Sequence, residues 1–225
     1  MYRVEDKYNC TTQELYMLQA RMEAVLRPDS NEGGAEGYRI ESLYFDDLGD
    51  SCLQDTQDGV NRRSKYRIRI YNNSLDVIKL EVKIKRDNRI LKRSKLISRA
   101  QMECLMRGEC IEDMASEEDP ATLFNLALRT RGLRPKVIVA YERKAYVYEP
   151  GNVRITFDRN VRANGRVDEF GQKNISYDFL HEYDKVLEVK YDEFIPDFLL
   201  QLLELGNMQQ SAYSKYQLCR ERIGE

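Results

Sequence analysis

Lys65, Arg67 and Arg69 stand at alternate positions in Ser64–Tyr71, Arg63 extends their row, and Tyr66, Ile68 and Ile70 fall between them. Residues two apart share one face of a β-strand, so the segment predicts one apolar face and one cationic face. Val77–Lys85 repeats the pattern, with Leu80, Val82 and Ile84 opposing Lys79, Glu81, Lys83 and Lys85. Arg3, Glu5 and Lys7 share a face, as do Arg154, Thr156 and Asp158, and Glu188 with Lys190. A single strand of this kind is most simply half-buried with its charges in water. Several strands with the same sign are different, because like charges along and across strands repel. A polyanion would supply the missing negative charge, and Arg and Lys suit phosphate oxygens. Glu5, Glu81 and Glu188, on the same faces, are natural ligands for Mn²⁺ or Mg²⁺, hard cations that take carboxylate and phosphate oxygen together. Phosphoryl transfer asks for charge neutralisation, metal and alignment, and needs no His or Cys.

The composition fits that chemistry and excludes others. The chain has 225 residues with 36 Lys+Arg against 38 Asp+Glu, a net charge of −2, so it is not basic all over. A local basic surface remains open, because net charge says nothing about segregation. No nucleic-acid partner is expected, since no aromatic base-stacking strand motif is evident. His181 is the sole histidine, and Cys10, Cys52, Cys104, Cys110 and Cys219 are scattered without a C-x-x-C pair. Neither a zinc site nor a Ser-His or Cys-His nucleophile is indicated. No apolar run approaches membrane-spanning length and no signal peptide is seen, so a cytoplasmic location is expected. The stretch Asn31–Gly37 reads as a loop without the spacing of a nucleotide-binding turn.

The elements that must position these residues can be read from periodicity. Strands are expected near Arg3–Tyr8, Tyr38–Phe45, Ser64–Tyr71, Val77–Lys85, Ile90–Ile97, Lys136–Tyr148, Val153–Val161 and Lys185–Tyr191. Asn72-Asn73-Ser74, Asp87-Asn88 and Pro150-Gly151-Asn152 mark turns. Thr11-Thr12-Gln13-Glu14 is a capping box opening a helix that Pro28 stops. Further helices are expected over Ser98–Arg107, Pro120–Arg131, Pro196–Leu205 and Ser211–Arg222. The acidic run Glu109–Asp119 reads as a solvated loop. Hairpin-connected strands argue for one α+β domain over residues 1–225. A closed eight-stranded antiparallel β-barrel, with helices packed outside and at the ends, would gather the charged faces around a hydrated lumen. Side-chain direction in Lys136–Tyr148 stays ambiguous, because both parities are mixed.

The ordered motifs resemble the VTC (vacuolar transporter chaperone) polyphosphate polymerase domain of the triphosphate tunnel metalloenzyme (CYTH-like) superfamily, over nearly the whole chain. They are Arg3-x-Glu5-x-Lys7-Tyr8, Glu41-Ser42-Leu43-Tyr44-Phe45-Asp46, Arg63-x-Lys65-x-Arg67-x-Arg69-x-Tyr71, Leu80-Glu81-Val82-Lys83 and Lys92-Arg93. Tyr141-x-Arg143 with Ala145-Tyr146, Val153–Asp158, Leu187–Tyr191 with Pro196, and Ser214-Lys215-Tyr216 complete the set. The resemblance implies an eight-stranded tunnel and transfer of the ATP γ-phosphoryl group to a growing polyphosphate chain, with a divalent metal. It implies that Lys7, Arg67, Arg69, Lys83, Arg143, Arg154 and Lys215 hold phosphates and that Glu188 binds metal, with Glu5 and Glu81 as further candidates. Arg3, Arg63, Lys65, Lys92, Lys190 and Tyr141 are expected to contact substrate, and Tyr141 and Arg143 are placed inside by the resemblance alone. Arg3 stands where the hydrolase and cyclase branches usually carry Glu, which favours the polymerase-like branch. Two alternatives stay open: a tunnel triphosphatase acting on inorganic or nucleoside triphosphate, and a binding module for polyphosphate or inositol phosphate without turnover. Inward-facing arginines also predict that Arg67→Ala and Arg69→Ala weaken triphosphate binding while barely changing apo stability.

Overall fold

The computed structural model describes residues 3–30, 37–87, 89–180, 185–204, 208 and 210–224. Most of the glycine-rich stretch, with Asn88, His181 and Leu205, lies outside the described residues. The elements in chain order are β1 (Val4–Asn9), α1 (Thr12–Val25), β2 (Arg27–Pro28), β3 (Tyr38–Asp46), α2 (Ser51–Gln57), β4 (Arg62–Tyr71), β5 (Ser74–Arg86) and β6 (Arg89–Ile97). They continue with α3 (Arg99–Arg107), α4 (Pro120–Arg131), β7 (Arg134–Tyr148), β8 (Val153–Asn164), β9 (Asp178–Phe179), β10 (Val186–Tyr191), α5 (Asp197–Leu203) and α6 (Lys215–Gly224).

Local chemistry accounts for several boundaries. Thr11 and Glu14 form the expected reciprocal cap of α1, and Asp119, Pro120 and a left-handed Gly132 frame α4. Asn72 and Asn73 both adopt positive φ between β4 and β5, the backbone a two-residue hairpin loop requires. The acidic run is less solvated than expected. Asp119 is buried, and its carboxylate accepts from the Ala121 amide at the start of α4 at 3.1 Å and from Lys95 at 2.8 Å. Helix α2 was not expected, because seven residues carry too little periodicity. It is held by carboxylates preceding it: Asp46 accepts from the amides of Cys52 and Leu53, and Asp47 from that of Ser51.

The strands form one antiparallel, curled sheet in the order β1-β10-β8-β7-β3-β4-β5-β6, with β2 and β9 appended to β7 and β8. The expected closed barrel is corrected to an open one. Among the described residues, the end strands β1 and β6 meet through a single bridge, Arg3 with Ile90, carrying two backbone hydrogen bonds of 3.1 and 3.2 Å. The reason is competition for the edge of β1. Gln210 bridges Tyr8, and the Ser211 amide donates to the Lys7 carbonyl at 2.9 Å, so that edge is already used where a closed barrel would need it.

The apolar strand faces point outward beneath helices, in two clusters. One packs Phe45, Ile68, Leu80 and Val82 against Met102, Leu105 and Phe124 of α3 and α4. The other packs Phe157, Leu187 and Val189 against Leu15, Leu18 and Met22 of α1 and Leu199 and Leu203 of α5. Burying both leaves the opposite, charged faces turned inward. No helix among the described residues is long and apolar enough to cross a membrane.

Candidate functional site: a basic lumen

The concave face encloses a lumen of about 280 Å³. β1 and the residue before it supply Arg3, Glu5 and Lys7; β4 supplies Lys65, Arg67 and Arg69; β5 and β6 supply Lys83 and Lys92. β7 supplies Tyr141 and Arg143, β8 Arg154, and β10 Glu188 and Lys190, while Ser214, Lys215 and Tyr216 enter from the start of α6. The parity left ambiguous in β7 is therefore decided: Tyr141 and Arg143 line the lumen, while Lys144 turns away to pair with Glu23 of α1. A bulge between Ala140 and Glu142 adjusts β7 against β8.

Two expected site residues lie elsewhere. Arg63 does not reach the lumen; it lines a neighbouring cavity, and its guanidinium donates to the Val60 carbonyl. Glu81 is fully buried beneath the lumen wall and is surrounded by cations. Arg67 donates to it from Nε at 2.7 Å and forms an ion pair through a terminal nitrogen at 2.6 Å, Lys92 donates at 3.0 Å, and Arg69 lies 3.8 Å away. Burial alone would raise the Glu81 pKa, but these neighbours hold it well below the usual carboxylate range. Its oxygens thus hold guanidinium and ammonium groups in place. Tyr44 accepts from Arg67 at 2.8 Å, and Ser42 and Tyr141 accept from Arg69 at 3.1 and 3.2 Å, so both forks are oriented from several sides.

A second buried anchor, Asp158, was given no role from sequence. Arg143 binds it in a two-pronged pair at 2.6 and 2.7 Å, and the Lys215 ammonium sits 2.7 Å away. Burial works against its charge, but Arg143 and Lys215 outweigh it and hold the carboxyl at about 2. The available signal was parity: Asp158 shares the alternating polar face of Arg154 in β8. Arg154 in turn is held by Asp29 and by the Tyr38 hydroxyl. Asp46 and Tyr216 also act at a distance. The Tyr216 hydroxyl donates to Asp46 at 2.6 Å, and its ring stacks on Tyr44 with centroids 5.0 Å apart. That contact fixes the first turn of α6, and with it Lys215, against the β3 wall.

Glu5 and Glu188 remain on the lumen surface. Lys190 lies between them, 3.1 Å from Glu5 and 2.9 Å from Glu188. Glu188 is also approached by Arg143 at 3.4 Å and Lys7 at 3.7 Å. Burial raises both carboxyl pKa values, and the surrounding cations reverse the effect. Lys83 and Lys190 bring Glu5 to about 2, and Lys190, Lys7 and Lys215 take Glu188 well below its ordinary value. Both are therefore ionised at neutral pH. Among the described residues no group of three or more acidic, His or Cys side chains could hold a metal by itself. Two carboxylates suit a cation whose remaining ligands are substrate phosphates, the usual habit of Mg²⁺.

Among solved structures, the fold is similar to a candidate adenylate cyclase from Bacillus halodurans, at 11% identity over 94% of this chain and 93% of that one, with a TM-score of 0.55. A mimivirus capping enzyme triphosphatase is 14% identical over 91% of this chain and 87% of that one, with a TM-score of 0.39. The likeness to the first speaks for a shared fold alone; the second is too distant to add to it. The comparison with curated proteins found no match. The sequence profile of the VTC domain matches residues 2–223, and this chain belongs to the VTC domain family.

Proposed function

We propose that the domain holds a chain of phosphates in its lumen and transfers the γ-phosphoryl group of ATP to the end of a polyphosphate chain. The observation carrying this reading is the charge of the wall: eleven Lys and Arg side chains line the lumen against two carboxylates, Glu5 and Glu188. Membership of the VTC domain family supports a triphosphate-handling role. In the reaction, a terminal phosphate oxygen of the chain bonds to the γ-phosphorus as its bond to the β-phosphate oxygen breaks, releasing ADP. Arg67, Arg69 and Arg143 are pre-oriented forks suited to equatorial phosphoryl oxygens, and need no rearrangement as charge develops. Lys7, Lys83, Lys92, Lys190, Lys215 and Arg154 would neutralise the flanking phosphates, and Arg3, Lys65 and Tyr141 complete the wall. Glu188 and Glu5 would hold Mg²⁺ or Mn²⁺, which would supply further neutralisation of phosphate charge.

The test is incubation of the purified protein with ATP and Mn²⁺, followed by a gel that resolves polyphosphate. Long chains with ADP are the expected products. Free phosphate without chains would replace the reading with hydrolysis, and tight triphosphate binding without products would replace it with a binding module. Glu188→Gln is expected to abolish metal-dependent turnover while triphosphate still binds; unchanged turnover at saturating metal would remove Glu188 from its role.

A further inference from the structure

Beside the lumen lies a second cavity of about 580 Å³, between β1, the paired ends of β4 and β5, and residues 210–214. It opens where the sheet fails to close. Glu5, Lys7, Lys65, Lys83 and Ser214 line both spaces, so the two adjoin across a shared wall. Five cations, Lys7, Arg63, Lys65, Lys83 and Lys85, line this mouth against Glu5 and Asp6. Both carboxylates are already engaged: Glu5 with Lys83 and Lys190, and Asp6 with Gln210 and Tyr191.

Three of the cations have no carboxylate within ion-pairing distance among the described residues: Arg63, Lys65 and Lys85. Lys65 donates to Ser214 at 2.8 Å, a neutral partner. The strand register makes the arrangement less favourable still. Lys65 lies opposite Lys83, Arg63 opposite Lys85, and Arg62 opposite Arg86. Like charges directly opposite each other destabilise a sheet; the first two pairs face the mouth, where Glu5 on Lys83 and the more distant Asp55 near Arg63 offset them only in part.

We infer that the mouth is a second binding site, taking the part of a linear condensed phosphate that extends past the lumen and holding it with Lys65, Arg63 and Lys85. The inference rests on the lumen itself holding phosphate, as proposed above. A ligand shared by the two spaces must be a thin, continuous polyanion. Single-stranded nucleic acid fits less well, because it is bound by exposed aromatic stacking surfaces. The aromatic residue in the mouth lining, Tyr213, is buried.

The test is calorimetric titration with inorganic triphosphate and with long-chain polyphosphate, read as the ratio of the two affinities in each protein. In the unaltered protein the long chain is expected to bind at least about tenfold more tightly, the size of one or two charge-assisted contacts. Lys85→Glu and the double variant Lys85→Glu/Arg63→Gln are expected to lower that ratio progressively, the double variant by about tenfold or more. Comparing ratios between proteins removes the statistical advantage that any long chain gains from its many registers. Lys85→Glu also sets a carboxylate opposite Arg63, so its thermal midpoint should not fall and lost binding cannot be ascribed to unfolding. Normal triphosphate binding with a ratio that persists in the double variant overturns the inference alone. So does a single-stranded RNA that competes for the mouth as well as polyphosphate does. Absence of triphosphate binding by the unaltered protein overturns the lumen reading, and the inference with it.

Discussion

Lumen and mouth are built from the same residue types on adjoining strands, yet their charges are handled in opposite ways. In the lumen, Arg67, Arg69 and Lys92 share Glu81, while Arg143 and Lys215 share Asp158. In the mouth, Arg63, Lys65 and Lys85 form no ion pair among the described residues, Asp55 acting on Arg63 only from a distance. The difference separates orientation from affinity. Buried carboxylates hold the lumen cations in fixed geometry and reduce the field that a ligand meets. Around the unpaired mouth cations no adjacent carboxylate weakens the field that an anion meets. The proposed phosphoryl transfer would draw on the first arrangement for alignment, and the proposed chain binding on the second.

The largest expected effect breaks the lumen side of this contrast. Asp158→Asn leaves Arg143 and Lys215 buried with only the more distant Glu188 as counter-charge, and removing one partner of a buried pair costs about 3–5 kcal/mol. Denaturant unfolding should show that loss, and added triphosphate should restore more stability to the variant than to the unaltered protein. Equal stabilisation of both by triphosphate would mean that the ligand does not reach this pair.

Arg67→Ala should weaken triphosphate binding by about ten- to a hundredfold, corresponding to one or two charge-assisted hydrogen bonds. The expectation that it would spare the apo protein is revised by the structure, because Glu81 loses a hydrogen bond and its nearest ion pair. Unfolding should show a loss of about 1–3 kcal/mol, and an unchanged midpoint would contradict the anchoring role of Glu81.

Lys65→Met acts on the opposite side of the contrast. It removes a desolvated ammonium with no acidic partner, so the apo protein should be as stable as before or more so, while polyphosphate binds several-fold more weakly. A destabilised variant would show that Lys65 is structurally compensated after all.

The smallest effect is in protons. Burial, followed by repulsion from Lys7, Lys83 and Arg63, places the Lys65 pKa well below its ordinary value. A lysine depressed on folding is protonated more readily in the unfolded chain. It therefore disfavours the folded state at low pH, and the penalty fades as pH rises through the folded and then the unfolded pKa. Ser214 and the Tyr216 ring also face this ammonium, and neither carries a charge. A bound polyphosphate raises the Lys65 pKa again. Titrations in buffers of different ionisation enthalpy should thus reveal proton uptake on the alkaline side, and Lys65→Met should reduce it.

Much of the molecule was legible from sequence because its strands alternate cleanly. Period-two runs in β4, β5, β8 and β10 assign each side chain a face without any tertiary information, and apolar demand decides which face turns outward. The capping box of α1 and the Asp-Pro start and Gly stop of α4 are equally local. β7 carried no such message, since charged and apolar residues occupy both of its parities, and its pairing with β3 decides that Arg143 faces in. Helix α2 was hidden because the carboxylates that hold its first turn come from Asp46, the last residue of β3, and from Asp47 just after it.

What the sequence determined alone is a set of strands with one cationic face each, together with the identity of nearly every lumen residue. What only the tertiary structure decided is how those charges are shared. Glu81 and Glu188 look equivalent along their strands and each is approached by three cations, yet Glu81 is sealed beneath the wall while Glu188 lines the lumen. Arg63 belongs to the same row as Arg67, but lies outside the lumen, where the sheet opens. Closure itself depended on backbone atoms from residues 210 and 211 reaching the edge of β1 first. Alternation specifies a face. Which charges meet on it, and which are left over, depends on register and edge pairing between segments far apart in the chain, and a strand's own spacing cannot encode these.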